Sequence, residues 1–322
     1  MLLSHEGPMM LRFVLRRLLA GVVLLFVVSS LGFLLMNFNS AGTARTILGP
    51  TATQEQVDQL TTELGLDEPL GVRYVDWLTN ALQGDLGVSW FTRQPVVEAI
   101  TSRMAVTLSL VIGTTLVTAV VATSLGVWAA RKRGAADSLV QVVSVLGFAI
   151  PGFLIAIFLV NVFALNLGWF DATGYVQIED SLTGWLKSVT LPIVALSIGA
   201  TAAVASQVRG AMIDMMRQDW VRTLRSRGLP ESRVLYRHVL RNAGGPALAV
   251  LAVQFVGLLG GAIIVEQIFA IPGLGQVSVQ GTASGDVPLV MGLIVAIATI
   301  VVVVNIVIEI LHGFLNPKAR IS

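Results

Sequence analysis

Residues that could carry enzymatic chemistry are sparse in this sequence. It contains no cysteine, which excludes disulfides, thiol catalysis and cysteine-ligated metals. Its three histidines lie far apart, at His5, His238 and His312. It has neither a His-Glu-x-x-His motif nor a G-x-x-x-x-G-K-[ST] phosphate-binding loop. We therefore expect no catalytic site, no metal site and no bound cofactor on this chain.

Charged chemistry is concentrated in residues 209–245, called here the arginine-rich segment. Gly228 can adopt the left-handed conformation that ends a helix, and Pro230 suits the first position of the next helix. Glu231 then falls in a first helical turn, where the helix dipole favours an acid. The segment is predicted to form two helices joined by a sharp turn. Its basic residues are Arg209, Arg217, Arg222, Arg225, Arg227, Arg233, Arg237 and Arg241, with His238.

Apolar residues of the arginine-rich segment repeat at helical spacing. Met216, Trp220 and Leu224 are four residues apart and are predicted to share one helix face. After the turn, the apolar face comprises Val234, Leu235, Val239 and Leu240. Such a segment can bind anionic lipid head groups or dock into the groove of a partner protein. The ordered Gly-Leu-Pro-Glu break favours docking, because a lipid-binding loop does not need it.

The elements that carry this segment are long and apolar. Hydrophobic residues make up 55% of the 322 positions and charged residues 12%, whereas a soluble domain has about 25% charged residues. A helix needs about 20 apolar residues to cross a membrane, and the runs are too long and uniform for barrel strands. We predict an all-α integral membrane protein with six transmembrane helices. The predicted spans are residues 15–37, 104–130, 139–165, 190–213, 246–269 and 287–313.

Basic residues predict the orientation of these spans. With six spans, 16 of the 21 lysines and arginines fall on the side of the two termini, and an excess of basic residues marks the cytoplasmic side. The net charge of +2 disfavours a nucleic-acid partner. The predicted cytoplasmic parts are residues 1–14, 214–245 and 314–322, and the outer loops are residues 38–103, 166–189 and 270–286. Residues 53–64 of the first outer loop are predicted to form a helix in a small folded cap.

The first span resembles a secretory signal in its basic start, but the apolar run from Leu18 to Phe38 is longer than the usual core of such a signal. We therefore predict a retained helix. Residues 1–8 differ in character from the rest of the chain, and Met9 and Met10 are alternative starts.

Polar and kinking residues within the spans are candidates for a solute pathway. Pro151 removes a backbone hydrogen bond from the third span, and a kink lining the pathway and a kink that serves packing remain equally open. Gly257, Gly260 and Gly261 permit close helix contact, within the chain or between subunits. Polar side chains in spans more often bond to neighbouring helices than to a solute. The candidate lining residues are Asn161, Ser197, Thr201, Ser206, Gln254 and Asn305.

Several motifs together resemble one transporter family. The stretch from Asp219 to Leu229 (DWVRTLRSRGL) resembles the cytoplasmic signature of binding-protein-dependent ABC transporter permeases, in its dipeptide, oligopeptide and nickel form of the first-subunit type. Leu224 departs from the alanine usual there, and a Pro-Gly-Asp-Pro motif common after the first span is replaced by residues 39–42 (NSAG). Further matches are RHVLRNA at 237–243, GLDEPL at 65–70, GDLGVS at 84–89, IPGF at 150–153, EQIFAIPGLG at 266–275, DVP at 286–288 and NPKAR at 316–320.

The resemblance implies a permease of a bacterial or archaeal cytoplasmic membrane with the fold of ABC importers. Its partners would be a second homologous permease, two nucleotide-binding ATPase subunits that hold ATP and Mg²⁺, an extracytoplasmic solute-binding protein and the lipid bilayer. Glu266 and Asp286 would either form local salt bridges or contact the binding protein. The residues implied in coupling to the ATPase are Arg222, Thr223, Leu224, Arg225, Arg227, Gly228, Leu229, Pro230, Glu231, Val234, Leu235, Arg237 and His238.

In this prediction, Leu229, Val234 and Leu235 contact the ATPase and the arginines form a polar rim. The implied solute is a di- or oligopeptide, and nickel or another small solute is the alternative within the class. An ion-coupled secondary transporter is disfavoured, because the sequence shows neither matching halves with broken helices nor a midplane charge.

Overall fold

The computed structural model describes residues 7–37, 42–132 and 134–315. It describes the side chains of these residues except those of residues 7–15, 37, 136, 314 and 315. The 316–320 motif therefore lies outside the described residues, and for the alternative starts Met9 and Met10 the structure describes the backbone alone. Helices dominate the described chain. They are α1 Gly7–Asn37, α2 Thr43–Leu48, α3 Gln54–Glu63, α4 Leu70–Leu82, α5 Val96–Lys132, α6 Ala135–Ala149, α7 Gly152–Leu159, α8 Leu182–Met216, α9 Asp219–Ser226, α10 Glu231–Arg233, α11 Leu240–Ile268, α12 Leu274–Ser284 and α13 Val287–Leu315. Two π-helical segments, Val160–Asn166 and Val234–Val239, follow α7 and α10.

Within the described residues, five helical runs are long and apolar enough to cross a membrane. A sixth span exists if the pair Asp137–Ala149 and Gly152–Asn166, bent by 92°, counts as one. The multi-span prediction is confirmed with this qualification. The five runs are Arg16–Met36, Val96–Lys132, Leu182–Met216, Glu231–Ile268 and Val287–Gly313.

The third predicted span, residues 139–165, is not one straight helix. Helix α6 ends at Ala149, Ile150 is extended with ψ 118°, and Pro151 precedes α7 with ψ 132°. Proline cannot donate a backbone hydrogen bond and disfavours helical geometry in the residue before it. The proline that was predicted to kink this span therefore breaks it in two.

The chain forms two compact units by contact, residues 1–106 with 272–303, and residues 107–271 with 304–322.

The first unit contains the predicted cap. Thr53 accepts a hydrogen bond from the Gln56 backbone, and the Gln56 side chain accepts one from the Thr53 backbone, so a capping box starts α3. Val57 and Leu60 are buried with Ala44 of α2. Helix α3 occupies the stretch predicted to be helical, and α2 covers its apolar face.

An aromatic cluster joins α4 of the cap to α1. The ring of Tyr74 meets Phe33 edge-on at 5.3 Å and stacks on Trp77 at 6.1 Å. The Tyr74 hydroxyl lies 2.6 Å from the Ser30 hydroxyl. A tyrosine that keeps its ring among apolar groups and its hydroxyl on a partner fits this position. These contacts fix α4 against the first span.

Asp286 anchors the end of the cap to the start of α13. It is 1% exposed, and it accepts hydrogen bonds from the Ser89 hydroxyl at 2.5 Å and the Trp90 amide at 3.3 Å. It also accepts one from the Leu289 amide at 3.4 Å, within the first turn of α13. Buried carboxylates require such partners, because an unpaired buried charge is costly.

Replacing Asp286 with asparagine is expected to lower the free energy of unfolding by about 1–2 kcal/mol, because charge-assisted hydrogen bonds become neutral ones. Thermal unfolding of the detergent-solubilised protein measures this. The exposed Asp76, changed to asparagine, is the control, and its effect should stay within about 0.5 kcal/mol. Equal shifts for the two variants would show that Asp286 is not an anchor.

Glu266 near the end of α11 is also buried. It is 0% exposed and accepts a hydrogen bond of 2.6 Å from the Thr107 hydroxyl of α5. Glu266 and Asp286 accept these hydrogen bonds from hydroxyl groups distant in sequence, so the contacts are not the local salt bridges that the sequence predicts. Neither side chain lies at the surface, where it would contact a binding protein.

Helix α8 is the centre of the second unit, and α5, α6, α7 and α11 pack against it. Glycines allow the closest approaches: a Cβ atom on Gly126 would lie 2.7 Å from the Cβ of Val208 and 2.9 Å from the carbonyl oxygen of Ala205. Small residues at helix contacts are typical of membrane proteins. Arg209 of α8 also makes two hydrogen bonds to Asp137 at the start of α6.

The glycines of α11 divide into two groups. A Cβ on Gly261 would contact Leu196 of α8 at 3.4 Å, whereas Cβ atoms on Gly257 and Gly260 would meet no described atom within 4 Å. Gly261 therefore serves helix packing within the chain. Gly257 and Gly260 lie on an open face of α11.

Candidate functional site

The arginine-rich segment has one more break than its periodicity predicts. Helix α8 ends at Met216, and α9 begins at Asp219. Met216 is therefore not in the same helix as Trp220 and Leu224, and the expected continuous face is wrong. Met216 is buried, and Trp220 is 36% exposed. Val221 is the buried residue of α9.

The predicted turn at Gly228 is confirmed. Gly228 has φ +76°. Its amide donates to the Arg225 carbonyl at 2.9 Å, and the Leu229 amide donates to the Leu224 carbonyl at 3.4 Å. This pair of hydrogen bonds is a Schellman motif, which ends a helix with a left-handed residue. Leu224 and Leu229 both pack on the same buried cluster, as the motif's apolar contact requires.

A new helix starts directly after the turn. Pro230 is extended and precedes α10, and its carbonyl accepts hydrogen bonds from the amides of Arg233 and Val234. Pro230 thus stands one position before the first helical residue, and Glu231 is in the first turn as predicted. The helix continues through the π-helical segment into α11, so that Glu231–Ile268 is one run of 38 residues.

An ion pair closes the turn from outside. The guanidinium of Arg225 donates two hydrogen bonds to Glu231, at 3.0 and 2.7 Å, and both side chains are about half exposed. The hydrogen bond to Glu231 raises the pKa of Arg225 above its ordinary value. The same hydrogen bond lowers the pKa of Glu231, and the charge of Arg131, at the end of α5, also lowers it. An exposed pair of this kind stabilises by about 1 kcal/mol at most, so it adjusts the turn rather than creating it.

The apolar residues after the turn face inward. Val234 is 0% and Leu235 2% exposed, and both pack in a buried cluster with residues of α5, α8, α9 and α11. Leu229 is partly buried against the same cluster. Val234 and Leu235 are therefore not exposed for the apolar contact with an ATPase that the sequence predicts, whereas Leu229 is only partly buried and stays a predicted contact. All three residues hold the turn on its own membrane domain.

The outward surface of the segment is cationic. The Thr223 hydroxyl donates to the Asp219 carbonyl, and the Arg222 guanidinium lies 3.5 Å from the Asp219 carboxylate. His238 is half-buried. The structure thus brings the predicted coupling residues together around one turn, with the apolar members inside. The exposed arginines are Arg217, Arg222, Arg225, Arg227, Arg233, Arg237 and Arg241.

The candidate pathway residues are spread over several helices. Pro151 lies at the bend, and Asn161 is exposed and donates to the Ile157 carbonyl of its own helix. Ser197 is buried and donates to the Val194 carbonyl. Because these hydrogen bonds go to nearby carbonyl groups of the same chain segment, they do not identify Asn161 or Ser197 as a solute contact. Gln254, Asn305 and Thr201 are half-buried, and Ser206 is exposed.

Sequence reasoning missed three pairs: Thr107 with Glu266, Ser89 with Asp286, and Asp137 with Arg209. The carboxylates could have been found from the sequence, because each is an acid at the edge of an apolar run. No pattern in the sequence marked their hydroxyl and arginine partners. Among the described residues, no group of three or more His, Cys, Asp or Glu is placed to hold a metal ion.

Comparison with known proteins places this geometry in a family. Residues 122–321 match the family described as binding-protein-dependent transport system inner membrane component, and residues 10–111 match the N-terminal region of such components. A structure of the inward-facing MetNI methionine ABC transporter shares the fold, with a TM-score of 0.54 at 14% identity, over 68% of this chain and 97% of that chain.

Relatives match over nearly their full length. A putative peptide transport system permease protein of Brucella melitensis is 38% identical over 97% of this chain and 99% of the relative. A probable peptide ABC transporter permease protein of Sinorhizobium fredii is 33% identical, over 96% and 99%. A glutathione transport system permease protein of Escherichia coli is 34% identical, over 97% and 99%.

The fold and these matches define the class as the membrane permease of an ABC importer. The chain belongs to the family of binding-protein-dependent transport system inner membrane components. The predicted family and fold class are confirmed.

Proposed function

We propose that this chain is one permease subunit of an ATP-driven importer of di- or oligopeptides and forms half of its translocation pathway. The observation that carries the coupling role is the Schellman turn at Gly228, which presents a cationic surface while its apolar side is fixed in the membrane domain. The peptide substrate is supported by relatives whose names specify peptide transport. Glutathione is itself a small peptide, so the permease that carries this name fits the same substrate class.

In the proposed transporter, two ATPase subunits bind ATP and Mg²⁺ and hydrolyse the nucleotide. A second, homologous permease completes the pathway, and an extracytoplasmic binding protein delivers the solute. Both termini and the arginine-rich segment lie in the cytoplasm, which the distribution of basic residues supports. This chain then contributes the pathway walls and the mechanical link to the ATPase.

The mechanical link follows from the packing of the turn. Residues 231–268 are one helical run, and Val221, Val234 and Leu235 share a buried cluster with α5, α8 and α11. Packed cores move as rigid bodies rather than deforming continuously. An ATPase that displaces the turn therefore moves these helices with it, and Gly228 to Arg237 act as the coupling element.

Reconstitution tests this function. The complete transporter, in proteoliposomes with its binding protein, should take up labelled di- and oligopeptides only when ATP is present. Proteoliposomes that lack this subunit are the control and should show no uptake. Solute uptake by the isolated chain, driven by an ion gradient without ATPase subunits, would contradict the proposal.

A further inference from the structure

Tyr236 is an exposed aromatic residue at the centre of the proposed coupling element. It is 54% exposed, although Val234 and Leu235 directly before it are 0% and 2% exposed. No pattern in the sequence marked it, because its neighbours form the apolar face. Arg233 and Arg237, one turn before and directly after it, are exposed as well.

The position of Tyr236 along its helix places it beyond the lipid. The run Glu231–Ile268 has 38 residues and is therefore about 57 Å long, whereas the hydrocarbon core is about 30 Å thick. The charge-free part starts at Asn242. Tyr236 lies six residues earlier, which is about 9 Å along the helix axis. The headgroup region on each side is about 5–7 Å thick, so a helix near the membrane normal carries Tyr236 into the cytoplasmic water.

The surface around Tyr236 has one sign of charge. Glu231 is paired with Arg225, which leaves the exposed side dominated by Arg227, Arg233 and Arg237. Complementary interfaces place opposite charges against each other. Tyrosine and arginine are the residue types that carry most binding energy in protein interfaces, typically as an aromatic anchor in a pocket. A large exposed ring inside a cationic surface therefore fits an acidic-rimmed pocket.

We propose that Tyr236 is the aromatic anchor by which this permease docks into an acidic-rimmed groove of its cytoplasmic ATPase subunit, with Arg233 and Arg237 pairing with carboxylates at the rim. This inference rests on the proposed function. In this inference Tyr236, rather than the inward-facing Val234 and Leu235, makes the apolar contact with the partner.

The test uses the assembled transporter with Tyr236→Ala, Tyr236→Phe and, as a control, Trp169→Ala at an exposed aromatic position outside the coupling element. Association of the purified permease pair with its ATPase subunits is measured in detergent between about 50 and 500 mM salt. Tyr236→Ala should weaken association at least tenfold, while Tyr236→Phe and Trp169→Ala should stay within about threefold of the parent. A double change, Arg233→Gln with Arg237→Gln, should reduce the salt dependence of association.

A parallel assay measures how each purified variant binds to phosphatidylcholine vesicles with and without phosphatidylglycerol, which tests contact with anionic lipid. Unchanged ATPase association of Tyr236→Ala, with binding lost only to the anionic vesicles, overturns the inference and makes the residue a lipid contact. Unchanged association in all assays overturns it as well. If the parent permease assembles with no ATPase, the proposed function fails together with the inference. Thermal unfolding of each variant separates a docking defect from a folding defect.

Discussion

Replacing Gly228 with valine is expected to abolish ATP-driven peptide uptake by the proposed transporter, with at least a tenfold loss of the ATPase stimulation expected from a solute-loaded binding protein. Gly228 has φ +76°, a conformation that costs a residue with a side chain roughly 1–2 kcal/mol and a β-branched residue more. If the backbone at position 228 leaves this left-handed conformation, the hydrogen bonds from Gly228 to Arg225 and from Leu229 to Leu224 break. The helix that starts at Glu231 would then leave α9 at a different angle, and the cationic surface would lose its shape.

Two variants separate coupling from stability. Gly168→Val is the matched control, because Gly168 has φ +64° and, like Gly228, has open space around its Cβ position. It carries the same backbone cost outside the arginine-rich segment and should leave coupling intact. Gly228→Asn should retain most of the activity, since asparagine tolerates the left-handed conformation. Equal loss of stimulation in Gly228→Val and Gly168→Val would show that general destabilisation, not the turn, is responsible.

Replacing Gly126 with valine is expected to lower the free energy of unfolding by about 3 kcal/mol, at the upper end of overpacking effects. Its Cβ would lie 2.7 Å from the Cβ of Val208 and 2.9 Å from the carbonyl oxygen of Ala205. The side chain of Val208 is 1% exposed and enclosed by the buried cluster, and a backbone carbonyl cannot rotate away. Helices α5 and α8 must separate, which opens the same core that holds the arginine-rich segment in place.

Gly257→Val is the matched control for this change. Gly257 is a helical glycine whose Cβ would meet no described atom within 4 Å. In the isolated chain, the unfolding temperature of Gly257→Val should stay close to that of the parent, whereas that of Gly126→Val should fall by several degrees. Urea or thermal unfolding in detergent gives the comparison. A Gly126→Val chain as stable as Gly257→Val would mean that α5 and α8 do not approach as closely as described.

The sequence by itself determined most of the membrane organisation. Apolar runs of about 20 residues have few alternatives to a spanning helix, because lipid offers no partners for backbone groups. The turn at Gly228 was equally predictable, since glycine and proline control backbone geometry through their own covalent structure. The capping box that starts α3 depends on residues three positions apart. Each of these signals is local, and the motifs that carry the family resemblance are local as well.

The tertiary structure decided which faces of these helices are available. Periodicity showed that Val234 and Leu235 share a face but could not show what covers it, and the structure places α5, α8 and α11 there. Asp286 is paired with Ser89 across 197 positions of sequence. The choice between Gly261 as a packing residue and Gly257 as an open one likewise depends on where α8 passes. Contacts between distant segments depend on how whole helices pack, and no local pattern of residues encodes that arrangement.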